Sequence, residues 1–376
     1  MKALFLHFYD IAPHSGISKK IYYQIKALRE CGLDIDLCYI KIDEEGCQKR
    51  ICGDVVIDDF GNKFWTKIIK WFCFSNLASF ILSSDIKFVY IRSFYNTTPA
   101  LLKMLKKLKK AGIKVVMEIP TYPYDIEVKN SSNDLKVLFF INKLFRNKLK
   151  NCLSKIVTFS NYKEIHGIKT INISNGIDFS SIKIKSDNSF FHNNINLIAV
   201  ADIHYWHGYD RLIRGLYEYY ENSNPVMVKF KIIGDGVPSE IEKLKKLSKD
   251  LSLEKYICFH GNSFGDELDA FFEMSDFGIA SLGRHRSGIK NIKTIKNREY
   301  AARGIPFIYS EDDDDFDNMP YVIKAPADES PIDIKQIVEF YKSINIPPSE
   351  IRGSIINTLS WKVQMQKVVN NTFNEL

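Results

Sequence analysis

Short apolar runs and longer helical patterns alternate along this chain, and no other feature of the sequence constrains the fold as strongly. An apolar run at residues 3–6 precedes a stretch in which Ile21, Ile25 and Leu28 recur at helical spacing. Further runs of strand length stand at 35–40, 88–91, 114–117, 156–159 and 171–173. Repetition of strand and helix predicts a parallel sheet with helices on both faces.

A second series of the same type begins after residue 194. Its strands are expected at 197–200, 229–233, 257–259, 277–280 and 306–309. Residues 180–194 are rich in Ser, Asn, Asp and Lys with little periodicity, which is typical of a linker. The sequence therefore predicts an α/β protein with two doubly wound, Rossmann-like domains that face a central cleft. The predicted limits are 1–183, 184–348 and a helical segment, 349–376, that we expect to pack back on the first domain.

The composition is that of an ordinary globular protein and excludes several classes. The net charge of +7 over 376 residues suits anionic ligands such as nucleotides or anionic lipid, but it is too diffuse to indicate nucleic acid. The seven cysteines are odd in number, which favours reduced thiols in the cytoplasm. Since no apolar stretch approaches the ~20 residues that span a bilayer, we expect a cytoplasmic protein.

Loops that follow strands are where functional residues are expected, because ligands of open parallel sheets bind beyond the carboxyl ends of the strands. In the first domain, the loop 13–16 ends in Gly16 at the start of a helix, where backbone and helix amides are open to an anion or a sugar. Glu118 follows the strand 114–117 in a loop rich in Pro and Tyr, and this carboxylate is placed to bind a sugar acceptor. A plain turn and a stiffened structural loop are the alternatives.

In the second domain, two short glycine motifs follow strands. His207 stands directly before Gly208 at the start of a helix, where its ring is placed to donate to a diphosphate. Gly234 belongs to a Gly-Asp-Gly turn after the strand 229–233, where the backbone is open to a nucleotide base or ribose. Both motifs also occur in turns without ligands.

The segment 283–306 is strongly basic and follows the fourth strand of the second domain. Lys290, Lys296 and Arg298 lie in it with a single acid, Glu299. We expect the cations to grip a pyrophosphate and Glu299 to accept two ribose hydroxyls. A solvated basic loop is the alternative. The clustered carboxylates of the acidic run 311–315 are of the type that binds hard metal ions. Consecutive acids in a loop are more often solvated, so no metal site is expected.

Two stretches combine basic residues with large apolar ones, at 67–82 and 139–150. A basic amphipathic helix is suited to an anionic membrane interface. The alternative is an ordinary helix that packs against the core. A peripheral contact with the inner face of the cell membrane is therefore a further expectation.

Four segments together resemble the retaining GT-B glycosyltransferases of family 4. The opening strand, the Gly16 loop and its helix are similar to that family's acceptor-side opening, and residues 174–178, SNGID, are similar to its PNGVD segment. Residues 199–213 match its VGRL…KGFD.LI pattern, and residues 296–306 match K..EY.A.G.P, which holds the donor nucleotide in that family. The resemblance covers nearly the whole chain. Within the family, the sequence looks most like a subgroup found in bacterial capsule and surface-polysaccharide clusters.

The cations of the family's donor site are altered in this sequence. The positions of the Arg and Lys that bind the donor diphosphate hold Asp202 and His207. The resemblance therefore shifts phosphate binding to His207, Lys290, Lys296 and Arg298.

The family's pair of acids is altered as well. Its second member is Glu299, but the residue eight positions earlier is Asn291, so the first acid is missing. We expect the backbone of Ser287, Gly288 and Ile289 to contact the donor sugar instead.

The resemblance implies a retaining glycosyltransferase of the hexosyltransferase type. It would move a sugar from a UDP- or GDP-sugar to a hydroxyl of a glycan or of an undecaprenyl-diphosphate-type lipid-linked acceptor, in the synthesis of a surface or capsular polysaccharide. Glu118 and Thr121 would position the acceptor, and His207 would act on the donor. No cofactor is expected, since positioned cations and helix N-termini can stabilise the leaving diphosphate without a metal.

Two other functions remain open at this point. Nucleotide-sugar 2-epimerases share the two-domain architecture and would use carboxylates and histidines for acid–base chemistry on the donor itself. A non-catalytic relative that only binds a sugar nucleotide would tolerate the missing acid and cations. Fold alone does not separate these functions.

Overall fold

The chain forms two compact units. The computed structural model describes residues 1–12, 15–63, 65–124, 133–187, 194–222 and 226–373, without the side chains of residues 67, 133 and 134. Unit 1 comprises Met1–Ser174 and Trp361–Leu376, and unit 2 comprises Asn175–Ser360. The predicted boundary at 183/184 falls inside unit 2, because the segment before it is bound there: the Ile177 amide donates to the Leu359 carbonyl at 2.8 Å.

Strands and helices alternate along the described residues. The strands are β1 (Lys2–Leu6), β2 (Asp34–Ile42), β3 (Gln48–Cys52), β4 (Val55–Gly61), β5 (Phe88–Arg92), β6 (Lys114–Ile119), β7 (Lys155–Thr158), β8 (Glu164–Ile165), β9 (Ile168–Asn172), β10 (Asn194–Val200), β11 (Met227–Ile233), β12 (Ile257–His260), β13 (Phe277–Ile279), β14 (Phe307–Tyr309) and β15 (Val322–Lys324). The helices are α1 (Gly16–Glu30), α2 (Thr66–Ile69), α3 (Ser75–Ser83), α4 (Pro99–Lys110), α5 (Asn133–Phe145), α6 (Tyr209–Glu221), α7 (Pro238–Asp250), α8 (Gly265–Glu273), α9 (Ile295–Arg303), α10 (Ile334–Ser343), α11 (Pro348–Ile356) and α12 (Trp361–Phe373).

Unit 1 is built on a nine-stranded sheet in the order β4-β3-β2-β1-β5-β6-β7-β9-β8. The central strands β2, β1, β5, β6, β7 and β9 are parallel, whereas β3 pairs antiparallel with β2 and β4, and β8 with β9. β5 is buried along its whole length, as expected for a strand covered on both faces. On one face, Ile21 and Ile25 of α1 pack in the same cluster as Trp361 and Met365 of α12, so the last described helix belongs to this core.

Unit 2 has a six-stranded, fully parallel sheet in the order β12-β11-β10-β13-β14-β15. The order reverses direction at β10, which is the topological switch point where open α/β sheets bind ligands. Apolar residues of β10, β11, α6 and α10 share one core cluster on one face, and residues of α9 and α11 belong to the cluster on the other. The two predicted parallel-sheet domains are thus confirmed, while β3, β4, β8 and β15 are additions to the expected strands.

Helices of the described chain are all too short or too polar to cross a bilayer. The stretch 67–82, which the sequence offered as one amphipathic helix, is divided between the short α2 and the helix α3. The stretch 139–150 is the second half of α5 followed by a 3-10 helix, Arg146–Asn151.

Candidate functional site

A buried charged cluster lies at the carboxyl edge of the unit 1 sheet. Glu118, near the end of β6, is fully buried, and each of its carboxylate oxygens is engaged. Oε1 lies 3.5 Å from Lys20 Nζ and also binds Arg92, while Oε2 accepts from Gln24 and Tyr90, each at 2.6 Å. Burial alone would raise the pKa of Glu118, but Lys20 and Arg92 outweigh it and lower that pKa to about 2.

This cluster corrects the predicted role of Glu118. Both oxygens of this carboxylate are already taken by four donors, so it cannot bind an acceptor hydroxyl without giving one of them up, and its direct effect is to hold Lys20 and Arg92 in place. Burial lowers the pKa of Lys20 to about 7, against the opposing effect of Glu118. Thr121 follows in the loop and is half-buried, so its predicted acceptor contact stays a prediction.

Gly16 is the first residue of α1. A Cβ added there would meet no atom of the described residues within 4 Å, so their packing does not require a glycine at this position. Open space above the backbone is what the predicted ligand approach needs. Pro13 and His14 of the same loop lie outside the described residues.

At the carboxyl edge of the unit 2 sheet, glycines allow loops to touch backbone to backbone. Gly208 begins α6 with φ +64°, and a Cβ there would stand 2.6 Å from the Gly283 nitrogen. The Leu282 amide donates to the His207 carbonyl at 2.8 Å across the same contact. Gly234 has φ +122°, and a Cβ would collide with the Ala201 carbonyl. Gly208 and Gly234 are thus required by loop packing itself, and their predicted contact with a ligand stays a prediction.

His207 is buried. Its Nδ1 accepts from the His204 amide at 3.0 Å, which places the ring proton on Nε2. Burial, followed by the nearby charges of Lys296 and Arg284, lowers the pKa of His207 well below its usual value. The lowered pKa disfavours a charged ring, so the expected phosphate neutralisation by His207 stays a prediction, while Nε2–H is a donor for one hydrogen bond.

The cations of the basic segment divide into two groups. Arg298 is fully buried and donates to Asp313 through both Nη atoms, at 2.6 and 2.9 Å, and to Asp315. Its predicted grip on a diphosphate is corrected, because its guanidinium is bound within the fold. Lys296, two residues earlier on α9, is half-buried, and burial together with Arg284 lowers its pKa to about 7.

The loop before α9 is pinned to the end of β14. The Asp312 amide donates to the Lys290 carbonyl at 2.8 Å, and Asn291 and Asp312 form a parallel bridge. The Lys290 side chain and Gly288, at φ +71°, are exposed, whereas Ser287 and Ile289 are buried. Ser287 Oγ donates to the Arg284 carbonyl at 2.8 Å. The predicted contact of the 287–289 backbone with a donor sugar is not tested by this geometry.

Glu299 lies on α9 close to Lys296 and is half-buried. Its Oε1 accepts from Nε and Nη2 of Arg303, both at 3.1 Å, and Arg303 in turn donates to Asp269 of α8 at 2.7 Å. The carboxylate is therefore oriented by a buried arginine, and its role as a ribose ligand stays a prediction.

Two residues at this edge were not singled out as site residues from the sequence. Arg284, directly after Gly283, is half-buried beside the Trp206 ring, 5.4 Å from its centroid, and its charge acts on His207 and Lys296. Glu311, two residues after β14, is buried near both cations. The position of Glu311 directly after a strand could have identified it as a candidate site residue. It was overlooked because it belongs to an acidic run that we expected to be solvated.

The acidic run itself serves the fold. Asp313 and Asp315 bind Arg298, and Lys324 donates to Asp317 at 2.8 Å and lies 3.2 Å from Asp312. Among the described residues, no group of three or more His, Cys, Asp or Glu side chains is arranged to hold a metal ion.

Comparison with known proteins identifies the fold. No protein-family model matches the sequence, and no curated protein sequence matches it either. Solved structures match over nearly the whole chain. Sucrose-phosphate synthase from Thermosynechococcus elongatus has a TM-score of 0.71 at 10% identity, covering 98% of this chain and 97% of that one. A glycosyltransferase from Rickettsia africae has a TM-score of 0.62 at 13% identity, with coverages of 98% and 97%. The Anabaena protein HepE in complex with UDP has a TM-score of 0.61 at 15% identity, and both chains are covered completely.

At these identities the likeness establishes the fold alone. The chain has the GT-B fold, with two Rossmann-like units of the kind found in these glycosyltransferases. The resemblance to family 4 and to the capsule subgroup stays a prediction from the sequence motifs.

Proposed function

We propose that this protein is a retaining glycosyltransferase of family 4 type that takes a UDP- or GDP-sugar as donor. The observation that carries the proposal is the carboxyl edge of the unit 2 sheet, where Arg284 and Lys296 stand beside the glycine-lined loops after β10 and β13. Cations beside open backbone at a topological switch point are what a nucleoside diphosphate requires. HepE, which has the same fold, has been crystallised with UDP and with UDP-glucose.

In the proposed reaction, the bond between the anomeric carbon and the β-phosphate oxygen breaks, and its electron pair stays on the phosphate. The acceptor hydroxyl oxygen forms the new bond on the same face of the sugar, and its proton passes to the leaving phosphate. Arg284 and Lys296 stabilise the charge that develops on this phosphate, and the His207 Nε2–H donates one hydrogen bond to it. Glu299 holds the ribose, and unit 1 binds the acceptor near Lys20 and Arg92.

The proposed acceptor is a lipid-linked glycan, as the surface of unit 1 suggests. On α5, Val137, Phe140 and Leu144 form one apolar stripe and are 62%, 63% and 59% exposed. Lys136 and Lys143 flank this stripe and are exposed as well. An apolar stripe between lysines is suited to an anionic bilayer.

A second apolar surface lies nearby. Trp65 and Ile68 at α2 are also exposed, and ring contacts connect the two surfaces: Trp71 stacks on Phe94, and Tyr95 packs edge-on against Phe139 of α5. Both surfaces therefore adjoin the loop that follows Arg92, the last residue of β5. We propose that they rest on the inner face of the cell membrane and present a polyprenyl-diphosphate-type acceptor in the synthesis of a surface polysaccharide.

The donor site is tested by thermal shift and calorimetry with UDP, GDP, UDP-glucose, UDP-N-acetylglucosamine and GDP-mannose, each with and without EDTA. Ligand binding raises the melting temperature by mass action, and we expect one nucleotide family to do so without a metal. Glu299→Ala should abolish this shift, whereas Glu267→Ala, an exposed acid on α8, should keep it. An unchanged shift in Glu299→Ala would show that the nucleotide lies elsewhere. Turnover of UDP-N-acetylglucosamine without any acceptor would identify an epimerase instead.

The membrane surface is tested by co-sedimentation with vesicles of phosphatidylglycerol and phosphatidylcholine. Burial of two large apolar side chains contributes several kcal/mol, so the double variant Phe140→Ser, Leu144→Ser should bind at least tenfold more weakly. Met274→Ser in unit 2 is the matched control for loss of an exposed apolar side chain. Equal binding of all three proteins would refute the surface.

A further inference from the structure

Glu311 is a buried carboxyl with one oxygen unused. Its side chain is at the carboxyl edge of the unit 2 sheet and is 2% exposed. Oε1 accepts from Thr294 Oγ1 at 3.3 Å and from Asn297 Nδ2 at 3.4 Å. Oε2 is buried as well, yet it has no hydrogen-bond partner within the part of the chain that the structure describes. Burial raises the pKa of this carboxyl, with Arg284 opposing.

Asn297 presents a second unused oxygen beside it. The amide orientation is fixed, because Nδ2 donates to Asp313 at 3.1 Å and to Glu311. Oδ1 is therefore left buried and unpaired among the described residues. Asn291 forms a backbone bridge with Asp312. Its side-chain Oδ1 is likewise buried and unpaired among the described residues.

Unpaired hydroxyls complete the group. Tyr209 OH and Ser281 Oγ are both buried and without a partner in the described ranges. Ser281 belongs to the same edge because its carbonyl accepts from the Ser310 amide at 3.0 Å, and the Tyr209 hydroxyl is close enough to Glu311 for the carboxyl to affect its pKa. One edge of the sheet thus gathers five unsatisfied polar atoms.

The chemistry of these atoms selects the ligand. Amide oxygens only accept hydrogen bonds, and a phosphate also only accepts, so a diphosphate cannot satisfy Asn297 or Asn291. A pyranose ring carries several hydroxyls, each of which donates and accepts. Native structures leave few buried polar atoms unpaired, since each costs free energy, so a group of five points to a bound partner rich in O–H groups.

We propose that Glu311, with Asn297, binds hydroxyls of the transferred sugar and sets which sugar the site accepts. This inference rests on the proposed function, since it assumes that the adjacent Arg284 and Lys296 hold the diphosphate. The nucleotide and the sugar are then bound by different residues, cations for one and hydrogen-bond acceptors for the other.

The separation makes the inference testable by calorimetry. UDP-glucose, UDP-galactose, UDP-N-acetylglucosamine and GDP-mannose are each compared with UDP or GDP, and the ratio of the two affinities isolates the contribution of the sugar. Loss of a hydrogen bond to a carboxyl group corresponds to about tenfold or more in affinity. Glu311→Ala should therefore reduce this ratio at least tenfold for the preferred sugar, while the affinity for the nucleoside diphosphate changes less than about twofold. Asp312→Ala, its exposed neighbour, should leave both affinities unchanged.

Each other outcome overturns a distinct statement. An unchanged ratio in Glu311→Ala would mean that buried water satisfies the group and that Glu311 does not touch the sugar. Equal loss of both affinities would assign Glu311 to the diphosphate or to the fold. If Glu311→Ala does not fold, Glu311→Gln, which keeps the shape, decides by the same ratio. If the wild-type protein binds no nucleotide sugar, the proposed function itself fails.

Discussion

Substitution of Arg298 tests whether this residue stabilises the fold or binds the diphosphate. It is fully buried, as is Asp313, and the two are joined by a bidentate ion pair at 2.6 and 2.9 Å. Arg298→Met would leave the Asp313 carboxylate buried with only the Asn297 amide and backbone donors nearby. Removal of one partner of a buried pair costs about 3–5 kcal/mol, so the free energy of unfolding should fall by this amount in urea denaturation.

The double variant Arg298→Met, Asp313→Leu provides the matched control. Because both charges are gone, the desolvation cost goes with them, and most of the lost stability should return. Lys290→Met, an exposed cation of the same segment, should change stability by no more than about 0.5 kcal/mol. The reasoning would be refuted if Arg298→Met kept its full stability but lost the thermal shift with nucleotides, since this would make Arg298 a diphosphate ligand after all.

Three further predictions follow from the two edges. Gly208→Ala should destabilise unit 2 by at least about 1–2 kcal/mol, because αL backbone strain adds to the clash with Gly283; a melting temperature equal to that of the wild type would contradict this. The folded-state pKa of Glu118, about 2, lies below its ordinary value of 4.5, so its stabilisation is present above pH 4.5 and disappears as the pH falls toward 2; about 3 kcal/mol should be lost over this range in denaturation of the wild type and not of Glu118→Gln. Since Lys296 has a pKa of about 7, the affinity for UDP or GDP should fall as the pH rises above 7, and this decline should be absent in Lys296→Met; calorimetry at pH 6 to 9 would detect either result.

The fold was largely predictable because it depends on local patterns. Buried parallel strands are continuous apolar runs, and those at β1, β5, β6 and β10 are visible in the sequence. The strands β3 and β4 were not predicted, because both are half-buried and carry Lys, Arg and Asp. Their arginine, Arg50, is buried only because Asp58 and the carbonyls of Lys70 and Cys73 meet it in three dimensions.

The site was less predictable, because the function of a charged residue depends on its partners. Lys296 and Arg298 are two residues apart in one motif, yet one is half-buried beside the loops and the other is enclosed by Asp313 and Asp315. Spacing on α9 places them on different faces of the helix, but only the position of the acidic run shows which face holds a partner. Glu118 and Glu311 were misjudged or overlooked for the same reason.

The substitutions at the resembling motif form a consistent chemical pattern. With Asp202 and His207 in place of two cations, the loop after β10 provides little positive charge, because burial lowers the pKa of His207 well below its usual value. Positive charge comes instead from Arg284, in the loop after β13, and from Lys296 on α9, whose pKa is about 7. A diphosphate would raise the pKa of Lys296 and draw a proton onto it, so the site becomes fully cationic only when its ligand arrives.

With Asn291 in place of the first acid, the carboxyl that remains next to it is Glu311, held on the neighbouring strand end by the Asn291–Asp312 bridge. In the proposed donor site, each missing group thus has a counterpart on an adjacent element, and this favours a changed specificity over a lost activity.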